Sequence, residues 1–200
     1  DAQLVVARGN GPAREWLSDR VRFHNLDRGR VLRSIVPLRD LLRKEQPDLL
    51  FTTMLDANIA GVLACLGLVG KPYIVCRETN SHRARGDLGF LRRKLAGWAY
   101  RRADRIVALS AGVNRELVED YSLDPNRVLD LVLDDPSDLG GQIARRLLAR
   151  LRGIVEHHER FGLDQVVVIG AARNPTCCDA SRTSRIGKFA AGALPALLAH

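Results

Sequence analysis

The amino-acid sequence predicts an α/β protein built around a doubly wound parallel sheet, and three observations lead to this prediction. Short apolar segments alternate with segments of helical periodicity through residues 1–133. The links between these segments are short, as they are where helices connect parallel strands. Apolar strands at 72–77 and 104–109 flank one helical segment, which is the order of a βαβ unit. Together these features predict a Rossmann-like fold, whose chemistry lies beyond the carboxyl ends of the strands.

Periodicity and turn signals place the individual elements. Strands are predicted at 4–7, 21–24, 49–52, 73–76, 105–109 and 128–133, where apolar residues run together or alternate. Helices are predicted at 31–45, 57–68, 89–102 and 111–121. Ser110 is expected to cap the last of these helices. Glu116 is expected to lie in the early turns of this helix, where a carboxylate is favourable. In the helix at 89–102 the residues expected to face inward are Phe90, Leu91, Leu95, Trp98 and Ala99.

The pattern changes after residue 133. An acidic segment at 134–138 is a plausible linker, and 141–161 is predicted to be a helix with a basic face. Residues 165–170 are predicted to form a buried strand, whereas 174–200 are poorly patterned. The domains are therefore predicted as 1–133, a first Rossmann-like unit, and 134–200, a linker helix with the incomplete start of a second unit.

Composition bounds the class of protein. The chain has 200 residues and is 46% hydrophobic and 27% charged, which indicates a globular protein with a sizeable core. Its net charge of +8 favours anionic partners, although excess arginine can also reflect genome composition. No signal peptide or membrane-spanning segment is predicted. The chain begins at Asp1 without a methionine, so it is expected to be a fragment or to lack its natural start.

The cysteines indicate the redox setting. Cys65, Cys76, Cys177 and Cys178 have no metal-binding spacing and no CxxC arrangement. Cys65 and Cys76 lie among apolar residues and are expected to be buried thiols. These features favour a reducing, cytoplasmic environment.

Polar side chains follow the strand at 73–76. Glu78, Asn80 and His82 lie within five residues of one another on one turn. A histidine and a carboxylate at a strand end could transfer a proton to or from a substrate hydroxyl. They could equally cap the following helix and face water. The sequence leaves both interpretations open.

Other strand ends carry weaker signals. Ser110 opens a helix whose free N–H groups could hold a phosphate or carboxylate, although an ordinary N-cap fits the same pattern. Gly170 and Arg173 follow another strand, and Arg173 could bind a diphosphate or be solvated. Asp56 and Asn58 follow the strand at 49–52, where helix capping is the default interpretation.

The helix at 89–102 is rich in arginine and carries Trp98 and Tyr100. It is either an ordinary amphipathic surface helix or a contact for an anionic membrane surface. Nucleic-acid binding is not expected, because no recognition module accompanies the basic residues. The adjacent His157 and His158 lack the spacing of metal ligands on one helix face, and no metal site is predicted.

The order of these segments resembles the amino-terminal half of the family 4 glycosyltransferases, retaining enzymes with two Rossmann-like domains. The most specific match is Tyr100–Val113, which is similar to the family's RADxIVAVSxGV segment. Further similar segments are 29–33, 42–50, 56–58 and 77–80, so the matches cover roughly half of the chain. Residues 168–179 are loosely similar to the start of the family's donor-binding domain.

The resemblance implies hexosyl transfer from a nucleotide sugar to a saccharide or lipid-linked acceptor, in polysaccharide or glycolipid synthesis. No metal and no cofactor are expected beside the nucleotide sugar. The predicted catalytic residues are His82 and Glu78. The predicted acceptor-binding residues are Asp56, Asn58, Asn80 and Ser110. The predicted donor diphosphate contacts are Arg173 and Gly170, and the basic helix would contact an anionic membrane peripherally at the cytoplasmic face.

The chain also departs from the family pattern. Family members often have histidine where Asp56 and Thr79 stand, and Cys178 stands where a diphosphate-binding lysine is expected. The family's first strand should precede Asp1, and its paired-glutamate motif is absent, so little or no activity is expected from this chain. One alternative is a non-enzymatic module that binds anionic lipid or glycan. Another is a different Rossmann-type enzyme with a phosphate site at 170–173, which a strand 165–170 within the first sheet would favour.

Overall fold

A computed structural model describes residues 2–7, 21–85, 89–130 and 166–170, and the elements below are numbered within these ranges. The strands are β1 Ala2–Val6, β2 Arg22–Asn25, β3 Leu49–Thr53, β4 Tyr73–Glu78, β5 Arg105–Ala108, β6 Val128–Asp130 and β7 Val166–Gly170. The helices are α1 Ile35–Glu45, α2 Leu55–Ala64, α3 His82–Arg85, α4 Phe90–Tyr100 and α5 Ala111–Tyr121, with short 3-10 turns at Val31–Ser34 and Pro125–Arg127.

The strands form one sheet in the order β2-β1-β7-β3-β4-β5-β6. Six strands run in the same direction, and β7 runs opposite to its neighbours β1 and β3. The chain proceeds outward from β1 to β2, then returns to β3 and continues the other way to β6, which is a doubly wound order. The predicted α/β fold with a parallel, Rossmann-like sheet is confirmed.

Alternation of side chains gives the sheet two apolar faces. Leu50, Ile74 and Ile106 lie on one face, in a cluster that also contains the buried residues of the helices. On the other face Phe51, Val75 and Val107 pack together with residues of β1. Because both faces of the sheet are buried, the central strands are continuous apolar segments in the sequence.

Helix α2 begins earlier than its sequence suggests. Met54 occupies the N-cap position with a positive φ of 73°, and it makes no side-chain cap. Asp56 and Asn58 therefore lie within the first turns of the helix, and their predicted capping role is wrong. The helix packs closely on β3 at Gly61, where an added Cβ would lie 2.6 Å from Cγ2 of Thr52.

Helix α4 buries most of the face expected, but not its first turn. Phe90 and Leu91 are 73% and 80% exposed, so their predicted inward orientation is wrong. Ala99 is buried as predicted, together with Ala96 and Gly97. These small residues let the helix approach its neighbours closely: a Cβ on Gly97 would lie 2.9 Å from the ring of Tyr121. Close packing of small residues thus outweighs the burial of two large ones at the helix start.

Helix α5 follows its prediction closely. It spans Ala111–Tyr121, and the Ser110 hydroxyl accepts a hydrogen bond from the N–H of Val113 at 3.3 Å. The predicted N-cap is confirmed.

Strand β7 lies within the sheet rather than in a separate one. Val168 faces Leu4 of β1 and Phe51 of β3, so β7 separates these two strands. This is the arrangement expected under the alternative of a different Rossmann-type enzyme with a phosphate site at 170–173. The predicted domain boundary at 133/134, the linker at 134–138 and the helix at 141–161 lie outside the described residues, and the division into domains stays a prediction.

Candidate functional site

The carboxyl ends of β3, β4 and β5 form one edge of the sheet. The register aligns Thr53 with Arg77, and Glu78 with Ala108. The turn after β4, together with the beginnings of the helices that follow β3 and β5, lies along this edge. The structure therefore gathers six of the predicted site residues here: Asp56, Asn58, Glu78, Asn80, His82 and Ser110.

Glu78 is the centre of a buried polar cluster at this edge. Its side chain is 3% exposed. One carboxylate oxygen, Oε2, accepts hydrogen bonds from the hydroxyl of Tyr100 at 2.5 Å and from Nδ2 of Asn58 at 3.4 Å. The backbone N–H of Thr79 donates to the other oxygen, Oε1, at 3.3 Å. Burial raises the pKa of the Tyr100 hydroxyl well above its ordinary value, and the nearby Glu78 carboxylate raises it further, so this hydroxyl remains a donor.

Asn58 connects three elements beneath Glu78. It is fully buried, and its Oδ1 accepts a hydrogen bond from the Thr52 hydroxyl at 2.7 Å. Its Nδ2 also donates to the backbone carbonyl of Arg77 at 3.0 Å. The side chain thus ties helix α2 to strands β3 and β4 and is enclosed beneath the sheet edge.

His82 lies against Glu78 and is also buried, with 6% of its side chain exposed. Its Nδ1 lies 2.6 Å from the hydroxyl of Tyr121, and the two rings meet edge to face with centroids 5.9 Å apart. Its Nε2 lies 3.6 Å from Oε2 of Glu78 and makes no hydrogen bond within the described residues. The predicted pair of His82 and Glu78 is thus brought into contact, with both groups facing each other in the interior.

Sequence reasoning missed the part that α5 plays in this cluster. Glu116 is buried, and its Oε1 accepts hydrogen bonds from the backbone N–H groups of His82 at 2.9 Å and Arg83 at 3.1 Å. Its Oε2 accepts a hydrogen bond from the Ser81 hydroxyl at 2.6 Å. One signal could have revealed this: Glu116 lies on the same helical face as the apolar Val113, Leu117 and Tyr121.

Other predicted site residues lie where a ligand could reach them. Asn80 and Ser110 are exposed, and Asp56 is partly exposed and forms an ion pair with Arg92 of α4. Beyond them, Arg83 donates from Nε to Asp120 of α5 at 2.8 Å. The Arg83 guanidinium holds the pKa of the Asp120 carboxyl below its ordinary value. These charged groups form the outer rim of the buried cluster.

Gly170 does not join this site. It ends β7, and the antiparallel register sets it beside Ala2 and Leu49, at the amino ends of β1 and β3. At about 3.3 Å per residue, the length of β3 separates it from the site edge by about 13 Å. Arg173 lies outside the described residues. Within the described ranges no group of three or more His, Cys, Asp or Glu side chains is arranged to hold a metal ion.

The sheet order and the polar edge define a protein of the Rossmann-like α/β class. The family model described as Glycosyltransferase Family 4 matches residues 2–129, which include every element from β1 to the start of β6. The chain belongs to the family 4 glycosyltransferases. The comparison with curated proteins gives no match.

Proposed function

We propose that this protein transfers a hexosyl group from a nucleotide sugar to a saccharide or lipid-linked acceptor, with retention at the anomeric carbon. The observation that carries the proposal is the family match over residues 2–129. It covers the whole described carboxyl edge of β3, β4 and β5, where the predicted acceptor-side residues converge. Such an edge is where open α/β sheets bind their ligands.

In this proposal the acceptor lies over the exposed part of the edge. Asn80, Ser110 and Asp56 are the predicted acceptor-binding residues that solvent reaches, and they offer amide, hydroxyl and carboxylate groups to sugar hydroxyls. Asn58 supports these residues indirectly, because its side-chain amide is hydrogen-bonded to Thr52, Arg77 and Glu78. Its contribution is to hold the Glu78 carboxylate in place.

His82 and Glu78 are the proposed proton-handling pair. Nε2 of His82 lies 3.6 Å from Oε2 of Glu78, which is longer than a hydrogen bond, so the two groups would have to move closer to share a proton in acid–base catalysis. Both groups are enclosed in the described arrangement. A substrate hydroxyl would therefore meet Nε2 of His82 only if the turn that carries it, residues 79–83, moves outward.

The donor side is a separate part of the proposal. Gly170 and Arg173 are the predicted contacts of the donor diphosphate, for which a guanidinium offers paired N–H donors. Gly170 lies at the amino ends of β1 and β3, opposite the proposed acceptor edge, and Arg173 lies outside the described residues.

The test is a transfer assay on the full chain. Labelled UDP- and GDP-hexoses would be offered with a panel of oligosaccharides and membrane lipid extracts, and transfer of label scored. We expect slow transfer with one donor, in line with the low activity expected from the sequence, and its loss in His82→Asn and Glu78→Gln proteins that melt cooperatively. A folded protein that transfers none of these sugars would overturn the proposal, whereas wild-type rates in both variants would remove only the role of the pair.

A second candidate is a module that binds an anionic lipid surface without catalysis. One observation favours it: Phe90 and Leu91 are exposed at the start of α4, beside the cations of Arg92, Arg93 and Lys94. Apolar and basic groups side by side are typical of helices that lie on membranes. No described helix is long and apolar enough to cross a bilayer. In either case we propose a cytoplasmic protein that contacts the inner face of the membrane.

A further inference from the structure

The turn at 79–83 is held mainly by a distant helix rather than by its own neighbours. Helix α3 begins at His82, and the Glu116 carboxylate of α5 accepts hydrogen bonds from the backbone N–H groups of His82 and Arg83. The same carboxylate accepts from the Ser81 hydroxyl. Three donors of the turn thus meet one buried anion, which satisfies N–H groups that a short helix leaves without partners.

Tyr121 of the same helix sets the orientation of the His82 ring. The Glu78 carboxylate lies 3.6 Å from Nε2 and the Glu116 carboxylate lies 3.9 Å from Nδ1, so the nearer anion favours a ring that carries its proton on Nε2. If Tyr121 donates to Nδ1, the proton lies on Nε2 and points at the carboxylate. Burial, together with the nearby Glu116 carboxylate, raises the pKa of Tyr121 to about 12, so its hydroxyl keeps the proton that it donates.

We propose that Glu116 and Tyr121 are positioning residues for the site at the sheet edge. Glu116 fixes the backbone of the turn, so that Asn80 faces the solvent edge and His82 faces Glu78. Tyr121 fixes the imidazole in the form that carries its proton on Nε2. The importance of these two residues for transfer rests on the proposed function. The backbone position of the turn and the location of the proton on the His82 ring can nevertheless be measured without activity.

The first experiment is nitrogen NMR of the histidine side chains in the full chain, with the His82 signals assigned by their loss in His82→Asn. We expect the wild-type protein to carry the proton on Nε2, with Nδ1 accepting a hydrogen bond. Tyr121→Phe should move the Nδ1 resonance to that of a nitrogen without a hydrogen bond. Tyr73→Phe, which removes a hydroxyl on the opposite face of the sheet, should not. A wild-type proton on Nδ1, or no shift in Tyr121→Phe, would overturn this part.

The second experiment follows the backbone. Glu116→Gln replaces a charged acceptor by a neutral one, so amide exchange at His82 and Arg83 should become roughly tenfold faster. Asp40→Asn removes a carboxylate charge from an exposed position of α1, away from the turn, and should leave these rates unchanged. Equal exchange in both variants would show that Glu116 does not hold the turn.

Kinetics then separate this inference from the proposed function. Where the wild-type protein transfers sugar, Glu116→Gln should raise the KM for the acceptor and leave the KM for the nucleotide sugar unchanged. Equal changes of both KM values, or no change in any kinetic constant, would contradict a positioning role at the acceptor edge. If the wild-type protein transfers no sugar, the proposed function is wrong. The NMR and amide-exchange results still test whether Glu116 and Tyr121 position the turn and the His82 ring.

Discussion

At the scale of single residues, four buried polar residues at the carboxyl edge of the sheet form one connected network. Asn58, Glu78, Tyr100 and His82 are all buried, and each touches at least one of the others. A buried polar group that loses its partner costs about 1–3 kcal/mol, so such a network is stable only when it is nearly complete. Asn58 forms hydrogen bonds with three neighbours, so its loss would remove one hydrogen bond from each of them.

We expect Asn58→Ala to lower the free energy of unfolding by about 2–4 kcal/mol, since it leaves the Thr52 hydroxyl, the Arg77 carbonyl and Glu78 each short of a hydrogen bond. Urea unfolding followed by circular dichroism measures this. Asn80→Ala is the matched control at an exposed position and should change stability by less than about 0.5 kcal/mol. Equal effects of the two substitutions would mean that the Asn58 network does not stabilise the fold.

The two described cysteines are expected to be inert while the protein is folded. Burial raises the pKa of the Cys65 thiol to about 12, and it does the same for Cys76. Only about one thiol in 10⁴ would be ionised at pH 8, and the thiolate is the reactive form.

A Cys177→Ser/Cys178→Ser protein isolates these two thiols for measurement. In that protein we expect almost no reaction with a thiol reagent at pH 8, and two equivalents of reaction after addition of guanidinium. Rapid labelling of the folded protein would contradict the buried placement of both groups.

At the scale of elements, β7 completes the sheet. It donates and accepts hydrogen bonds on both sides, because β1 and β3 pair with it and not with each other. Without β7 the facing edges of β1 and β3 would carry unpaired N–H and C=O groups in the middle of the sheet. The unit predicted as 1–133 therefore depends on a strand that follows it in the chain.

Val168→Pro tests this dependence. Proline removes the N–H of a central strand residue and is found in sheets essentially only at edges, so we expect a loss of at least about 2 kcal/mol. Val168→Ala keeps the N–H and serves as the control. Thermal melting of both proteins gives the comparison, and identical melting temperatures would mean that β7 is not an internal strand.

At the scale of the whole molecule, charge and exposed apolar surface lie together at one end of α4. The chain carries a net charge of +8, and Phe90 and Leu91 project beside arginines and Lys94. The start of α4 lies near the site edge, since Arg92 forms an ion pair with Asp56. A lipid surface bound there would bring a lipid-linked acceptor close to the proposed site.

We expect the protein to bind vesicles that contain phosphatidylglycerol more tightly than neutral phosphatidylcholine vesicles, and more weakly as salt rises. The double variant Phe90→Ser/Leu91→Ser should lose about tenfold in affinity, because each apolar side chain that enters the interface contributes free energy. Co-sedimentation measures both effects. Val69→Ser changes a 96% exposed residue between α2 and β4 and should bind normally. Equal binding of the double variant would exclude the start of α4 as the contact.

Sequence reasoning predicted the alternation of elements well, because apolar periodicity is a local property. The ends of α5, the Ser110 cap and the central strands follow directly from it. It also placed Glu78 and His82 at the end of a strand, since a polar turn after an apolar segment can be recognised from the sequence alone. It could not predict the burial of these side chains, which depends on α4 and α5 packing over them.

The sequence by itself therefore determined the fold class, the family and the segment that carries the polar turn. Only the tertiary structure decided that Asn58 supports Glu78, that α5 holds the turn at 79–83, and that β7 lies between β1 and β3. The physical reason is that these contacts join residues far apart in the chain. Glu116 and Ser81 are separated by 35 positions, and no local pattern of hydrophobicity or turn residues records their hydrogen bond.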